Sequence, residues 1–216
     1  MVSVITVQGL LGSGAPEIGR EVADRFPADY VDREIIRKAA ARLRGKKQEV
    51  AAKGMPPDTL LGRVAEILAR AGGRGFGKGF EGAYLPAWEI PPNDTRYLQA
   101  LESVVMELGR CGESIVIMGR GSQFILREHP GCLHVLMVAP LKVRVERVRR
   151  SLNLDREAAQ REVKRFDKSI REFTKRHFQA ELEDAAHYDL VINTARLSFK
   201  AAARLIFEAA FEDLPC

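Results

Sequence analysis

The residues best suited to chemistry lie near the amino end, in Gly9-Leu-Leu-Gly-Ser-Gly-Ala-Pro16. Glycines at 9, 12 and 14 let main-chain N–H groups close around an anion, because no side chain blocks the approach and positive φ is accessible. Gly9-x4-Gly14 fits the first part of the GxxxxGK[ST] phosphate-loop pattern. The pattern then changes. Ala15 stands where a lysine would reach the phosphates, and Pro16 where Ser or Thr would ligate Mg²⁺. Pro16 instead suits the first turn of a helix, where its missing N–H would have had no partner. The favoured chemistry is capture of a polyphosphate by backbone amides and a helix N-terminus. A glycine turn that binds nothing is the plainer alternative.

A second group is cationic. The chain carries +5 with a sequence pI near 9.2, but Lys142 to Arg176 holds thirteen basic residues against six acidic, leaving the remainder at −2. A local basic element on a near-neutral body suits a focused anion site better than a broad nucleic-acid surface. Arg161, Arg165, Lys168, Arg171 and Lys175 recur at three- and four-residue spacing along one helical stripe, with Arg176 beside it. Such a stripe is either a solvated face or a set of cations that stabilises charge in phosphoryl transfer. Arg120, in Gly119-Arg-Gly121, follows a strand, where open α/β sheets bind ligands. Asp32-Arg33 and Asn193-Thr194 also follow extended pieces; capping is the plain reading of each.

The four histidines lack metal-ligand spacing, and Cys111, Cys132 and Cys216 form no CxxC pair. Neither a zinc site nor a disulfide frame is expected, and a reducing cytoplasm fits. No carboxylate follows a central strand in the Walker B manner. Asp32 and Glu34 are the nearest candidates, and otherwise Mg²⁺ would be held by nucleotide and water.

Positioning these groups takes a parallel α/β unit. Ser3–Gln8 reads as a buried strand, followed by a helix through Phe26 and an extended Tyr30-Val31-Asp32. A helix is expected from about 33 to 43. The glycine- and proline-rich stretch 45–94 interrupts the rhythm, with one helix over 59–71. Beyond it come a helix over 95–110, a strand over 114–118, a short helix and a strand over 133–138. A basic helical region over 141–183, a strand over 189–192 and a helix over 198–211 complete the pattern. The expectation is one domain over 1–216, with about five parallel strands and helices on both faces. Segment 45–94 would be an inserted excursion, either a lid or a stretch with no ligand role. A composition 46% hydrophobic and 29% charged argues against a mostly disordered chain. No apolar run reaches the roughly 18 residues of a membrane span. The apolar start lacks the basic residues of a signal peptide.

In this order, Gly12-Ser-Gly-Ala-Pro-Glu-Ile-Gly19, Tyr30-Val-Asp-Arg-Glu-Ile-Ile36, Ile117-Met-Gly-Arg-Gly121, Asp167-Lys168 with Arg171, and Tyr188-Asp-Leu-Val-Ile-Asn-Thr194 resemble the cytidylate kinase-like family of P-loop nucleoside monophosphate kinases. The resemblance implies a P-loop kinase fold and ATP-dependent phosphoryl transfer to a nucleoside monophosphate, CMP or dCMP first, with ATP and Mg²⁺ as cofactors. Nucleotides would be the partners, not nucleic acid or membrane. It implies that Gly9, Gly12, Ser13, Gly14 and Ala15 hold donor phosphates and that Asn193 and Thr194 lie near the donor base. Asp32, Arg33 and Arg120 would face the acceptor. The resemblance implies an acceptor-side insertion over 45–94 and a helical lid over 141–185, from which Arg165, Lys168 and Arg171 would close and act in catalysis with Arg120. Similar members often carry Gly-Ser-Gly-Gly followed by Arg, so Ala15 and Pro16 depart even from that variant, and Gly121 replaces an acceptor-site Asp. A kinase of another small molecule, or a non-catalytic nucleotide-binding regulator on the same fold, stays open.

Overall fold

β-Branched side chains crowd a helical turn but pack well on a pleated surface. Val4–Gly9 accordingly forms β1, buried at every position. A strand buried on both faces needs partners on each side and helices above and below. The computed structural model supplies them and describes residues 2–32, 59–72, 95–110, 112–119 and 121–211. β2 (Asp29–Val31), β3 (Ile115–Met118), β4 (Cys132–Val138) and β5 (Leu190–Asn193) join β1 in the order β2-β3-β1-β4-β5, every pair parallel. The chain thus has the α/β fold with a five-stranded parallel sheet that its pattern predicts.

Alternation along the strands divides the core. Ile5, Val7, Val116, Leu133, Val135 and Met137 meet Ile18 and Val22 of α1 (Ala15–Arg25) and Ala202 and Ile206 of α7 (Phe199–Phe211). Val4, Ile115 and Ile117 face the other way, against α2 (Leu60–Gly72) and α3 (Thr95–Arg110), with Leu126 just past the short α4 (Ser122–Ile125). Arg63 of α2 pairs with Asp29 and Glu113, fastening that layer to the amino edge of the sheet.

The basic region over 141–183, expected as one helical stretch, is two helices: α5 (Leu141–Ser151) and α6 (Arg156–Phe178). Asn153 takes a left-handed φ of 51° in the link, and the Asp155 carboxylate accepts from the Ala158 N–H at 2.7 Å, capping α6. Gln179, also left-handed, ends α6, and the chain reaches β5 through a 3-10 turn at Ala185–His187. Val145, Val148, Ala159 and Val163 join the two helices, and Leu11 packs on the same cluster.

Because all strands are parallel, the loops after Gly9, Val31, Met118, Val138 and Asn193 open on one side of the sheet. The expected helix over 33–43, residues Arg33, Glu34 and Arg120, and most of 45–94 lie outside the described residues. Among those residues no helix is long and apolar enough to cross a membrane.

Candidate functional site

β1 delivers Gly9 to the carboxyl edge of the sheet at its centre, and a tight loop follows. Leu10 C=O accepts from Ser13 N–H at 3.0 Å, closing the turn. Gly12 and Gly14 sit at φ 79° and 88°. A Cβ on Gly12 would lie 2.6 Å from the Arg144 carbonyl, and one on Gly14 2.4 Å from the Phe199 ring. Both glycines therefore serve close approach as well as backbone conformation. α1 begins at Ala15, with Pro16 in its first turn. Among the described residues, no group accepts from the amides of Gly12, Gly14 or Ala15. Ser13 is fully buried and its Oγ has no protein partner there; the same holds for Oε1 of Gln8, which faces Gly119. Buried polar atoms without partners are rare in folded proteins; the amides of Gly12, Gly14 and Ala15 are a separate feature, an arrangement at a helix N-terminus that suits an anion.

Behind the loop stand two arginines of α5. Arg144 and Asp167 of α6 form a bidentate pair at 3.0 and 2.8 Å, both side chains only 6% exposed. The same guanidinium donates to Leu11 C=O at 3.1 Å and to Ala139 C=O at 3.1 Å. Arg147 donates to Gly12 C=O at 3.1 Å, Ser13 C=O at 3.3 Å, Thr194 Oγ1 at 2.9 Å and Thr194 C=O at 2.7 Å. Its guanidinium lies 4.9 Å from the centre of the Phe199 ring. Thr194 Oγ1 in turn donates to Ser13 C=O at 2.6 Å.

The model of the cytidylate kinase-like family matches residues 4–196. The chain belongs to that family. A cytidylate kinase from Methanocella arvoryzae is 24% identical over 210 residues, 97% of each chain. A uronate isomerase from Corynebacterium glutamicum is 31% identical over 100 residues; the match spans 46% of this chain and 19% of that protein. A solved structure of an uncharacterised protein from Eubacterium ventriosum has the same fold, with a TM-score of 0.67 at 17% identity, covering 97% of this chain and 98% of that one.

In this cytidylate kinase-like chain the fold brings some of the sequence candidates together. Gly9, Gly12, Ser13, Gly14 and Ala15 make the loop itself, and Thr194 is bonded to it. Asn193 stands next to it and accepts from Ala195 N–H at 3.0 Å, a strand-end cap. Asp32 lies past the end of the edge strand β2, roughly 10 Å from β1 at two strand spacings, and pairs with Arg20 at 3.2 Å. Tyr30 packs beneath Arg20, and burial pushes its hydroxyl up to about 12. Arg165, Lys168 and Arg171 are spread along α6. Arg165 donates to Glu162, Lys168 lies 3.8 Å from Glu172, and Arg171 holds Glu183 at 2.6 and 3.0 Å. Among the described residues no three His, Cys, Asp or Glu side chains gather as a metal site.

Sequence reasoning missed Arg144 and Arg147. A signal for the first was present. Arg144 shares a helix face with Val145 and Val148, so it sits in the apolar stripe of a strongly charged helix. Asp167, read as orienting an arginine or forming a surface pair, is the buried partner of that arginine.

Proposed function

We propose that this protein uses its amino-terminal loop to bind the phosphates of ATP and transfers the terminal phosphoryl group to a nucleoside monophosphate, CMP or dCMP first. The observation that carries the reading is the loop itself: among the described residues, the amides of Gly12, Gly14 and Ala15 at the N-terminus of α1 have no protein acceptor. Membership of the cytidylate kinase-like family supports it, as does the cytidylate kinase relative that aligns over nearly the whole chain.

In this reading Gly9, Gly12, Ser13, Gly14 and Ala15 cradle the donor phosphates, and Asn193 and Thr194 border the donor base. Asp32, Arg33 and Arg120 face the acceptor. Arg165, Lys168 and Arg171 swing in from the lid, exchanging their carboxylate partners for the transferring phosphoryl group. Catalysis is positioning plus charge neutralisation. An ionised acceptor phosphate is already a nucleophile, so no general base is needed. The described residues offer no carboxylate set for Mg²⁺, and Pro16 has no side-chain oxygen to ligate it; the ion would come with the nucleotide and its water.

A second reading has its own observation. Ala15 is fully buried and leads into Pro16, so the first turn of α1 presents neither ammonium nor hydroxyl. A non-catalytic nucleotide sensor on this fold needs neither. The test is ADP formation by the full chain with ATP·Mg²⁺ and a panel of nucleoside monophosphates, small alcohols and sugars. Turnover that depends on one monophosphate supports the kinase. Turnover with another acceptor reassigns the substrate, and ATP binding without turnover favours the sensor. Absence of ATP binding ends both readings.

A further inference from the structure

We infer that Arg147 is a positioning residue: it fixes the peptide planes of the phosphate loop from behind, so that the loop amides point at the donor and backbone dipoles replace part of the charge Ala15 withholds. This rests on the phosphate-loop reading above. A trans peptide unit is planar, with its C=O and N–H pointing in opposite directions. A group that holds the carbonyl of one residue therefore aims the amide of the next. Arg147 holds Gly12 C=O and Ser13 C=O, and so sets the planes that carry Ser13 N–H and Gly14 N–H. Ser13 N–H is spent on Leu10 C=O, which leaves Gly14 N–H, opposite a carbonyl held by α5, without an acceptor among the described residues. Arg144 does the same for the next plane by holding Leu11 C=O, which aims Gly12 N–H.

The geometry around Arg147 makes this aim stiff. Its fork also grips both oxygens of Thr194, whose hydroxyl reaches Ser13 C=O independently. Its flat face rests on Phe199, and the same ring abuts the α-carbon of Gly14. A lysine in this place could keep the charge but not the planar multi-point grip. A surface arginine elsewhere on α5 would add net charge without aiming anything.

The test compares Arg147→Gln, Arg147→Lys and the charge-matched control Arg150→Gln, whose arginine is exposed and pairs with Glu146. Affinity for inorganic tripolyphosphate and for adenosine is measured by titration calorimetry on the full chain, alongside thermal midpoints. Arg147→Gln should weaken tripolyphosphate roughly 10- to 100-fold, the usual effect of losing charged hydrogen bonds. Adenosine affinity should stay within about 2-fold of wild type, and Arg150→Gln should change tripolyphosphate by less than about 2-fold. Arg147→Lys should lose severalfold in tripolyphosphate affinity, and it decides the matter if the Gln variant does not fold. Unchanged tripolyphosphate affinity in both Arg147 variants overturns the inference while leaving the loop as the phosphate site. Equal losses in Arg147→Gln and Arg150→Gln overturn it in favour of bulk charge, and a selective loss of adenosine overturns it in favour of base stacking. If the wild type binds no tripolyphosphate, the phosphate-loop reading itself fails.

Discussion

Replacing Asp167 with Asn removes one charge and little volume at the point where α5, α6 and the phosphate loop meet. The carboxylate accepts two hydrogen bonds from Arg144, with both side chains almost fully excluded from solvent. At an effective dielectric of 20 and a charge separation of about 4 Å, the lost attraction is about 4 kcal/mol. The Arg144 guanidinium would stay buried and charged, with the Leu11 and Ala139 carbonyls and one neutral amide oxygen in place of the carboxylate. Breaking one side of a buried pair in this way costs about 3–5 kcal/mol, more than the net contribution of the intact pair, because a charge is stranded. For a chain of this size each kcal/mol moves Tm by roughly 2–4 °C, so Asp167→Asn should lower it by roughly 6–20 °C. Scanning calorimetry and urea titration read this directly. The double variant Arg144→Met with Asp167→Leu should recover most of the stability, since neither charge remains. A fall of less than about 2 °C in Asp167→Asn would refute the reasoning. So would strictly additive losses in the double variant, which would mean that the two groups do not depend on one another.

Three further outcomes are expected. Gly14→Ala should destabilise the fold by about 1–2 kcal/mol for its left-handed φ and about 1–3 kcal/mol for its clash with Phe199; Phe199→Ala in the same chain should recover the second part only, as urea midpoints would register. Burial draws the His134 ring below its usual pKa of 6.5, outweighing Asp189 and the Leu126 backbone, which pull it up. The unfolded chain therefore takes up a proton first, stability drops as pH falls below about 6.5, and His134→Gln should flatten that decline in urea midpoints measured at pH 7.5, 6.5 and 5.5. Arg120→Ala should raise the acceptor KM by about 10-fold or more, as for a lost charged hydrogen bond, while ATP affinity stays near wild type; an unchanged acceptor KM removes Arg120 from the acceptor site.

The fold was legible where periodicity and punctuation agreed. Val4 to Val7 could only be a strand with both faces covered, and Gly9 to Pro16 could only be a turn into a helix. The helix over Thr95–Arg110 fell where its apolar spacing put it. The break between α5 and α6 was carried by Asn153 and Asp155, a left-handed residue and a cap. Their signal is local and was masked by the continuous run of charge on either side. Asp167 was left between orienting an arginine and forming a surface pair, and which of the two holds was hidden for the same reason. Hydropathy places a lone acid outside, and only a partner 23 residues away makes its burial affordable.

The site was legible as far as backbone chemistry could take it. Glycines at 9, 12 and 14 announce a tight loop: Gly12 and Gly14 take positive φ, and at all three positions a Cβ would collide with the protein's own atoms. What local pattern could not reveal was how such a loop keeps its amides aimed without the usual lysine. The supports come from Arg144, Arg147 and Thr194, more than 130 residues away in sequence, and nothing near Gly12 specifies them. Their placement follows from topology. β4 lies beside β1, so the helix that follows β4 must start where the loop that follows β1 turns. Any long donor on its inner face then reaches the loop carbonyls. The same adjacency ties the loop to α6, because Arg144 bonds Leu11 with one arm and Asp167 of α6 with both. In the phosphate-binding reading, a ligand that reorients the Leu11–Gly12 plane therefore acts on the middle of α6. Loss of that pair should loosen nucleotide affinity even in the double variant whose stability has been restored.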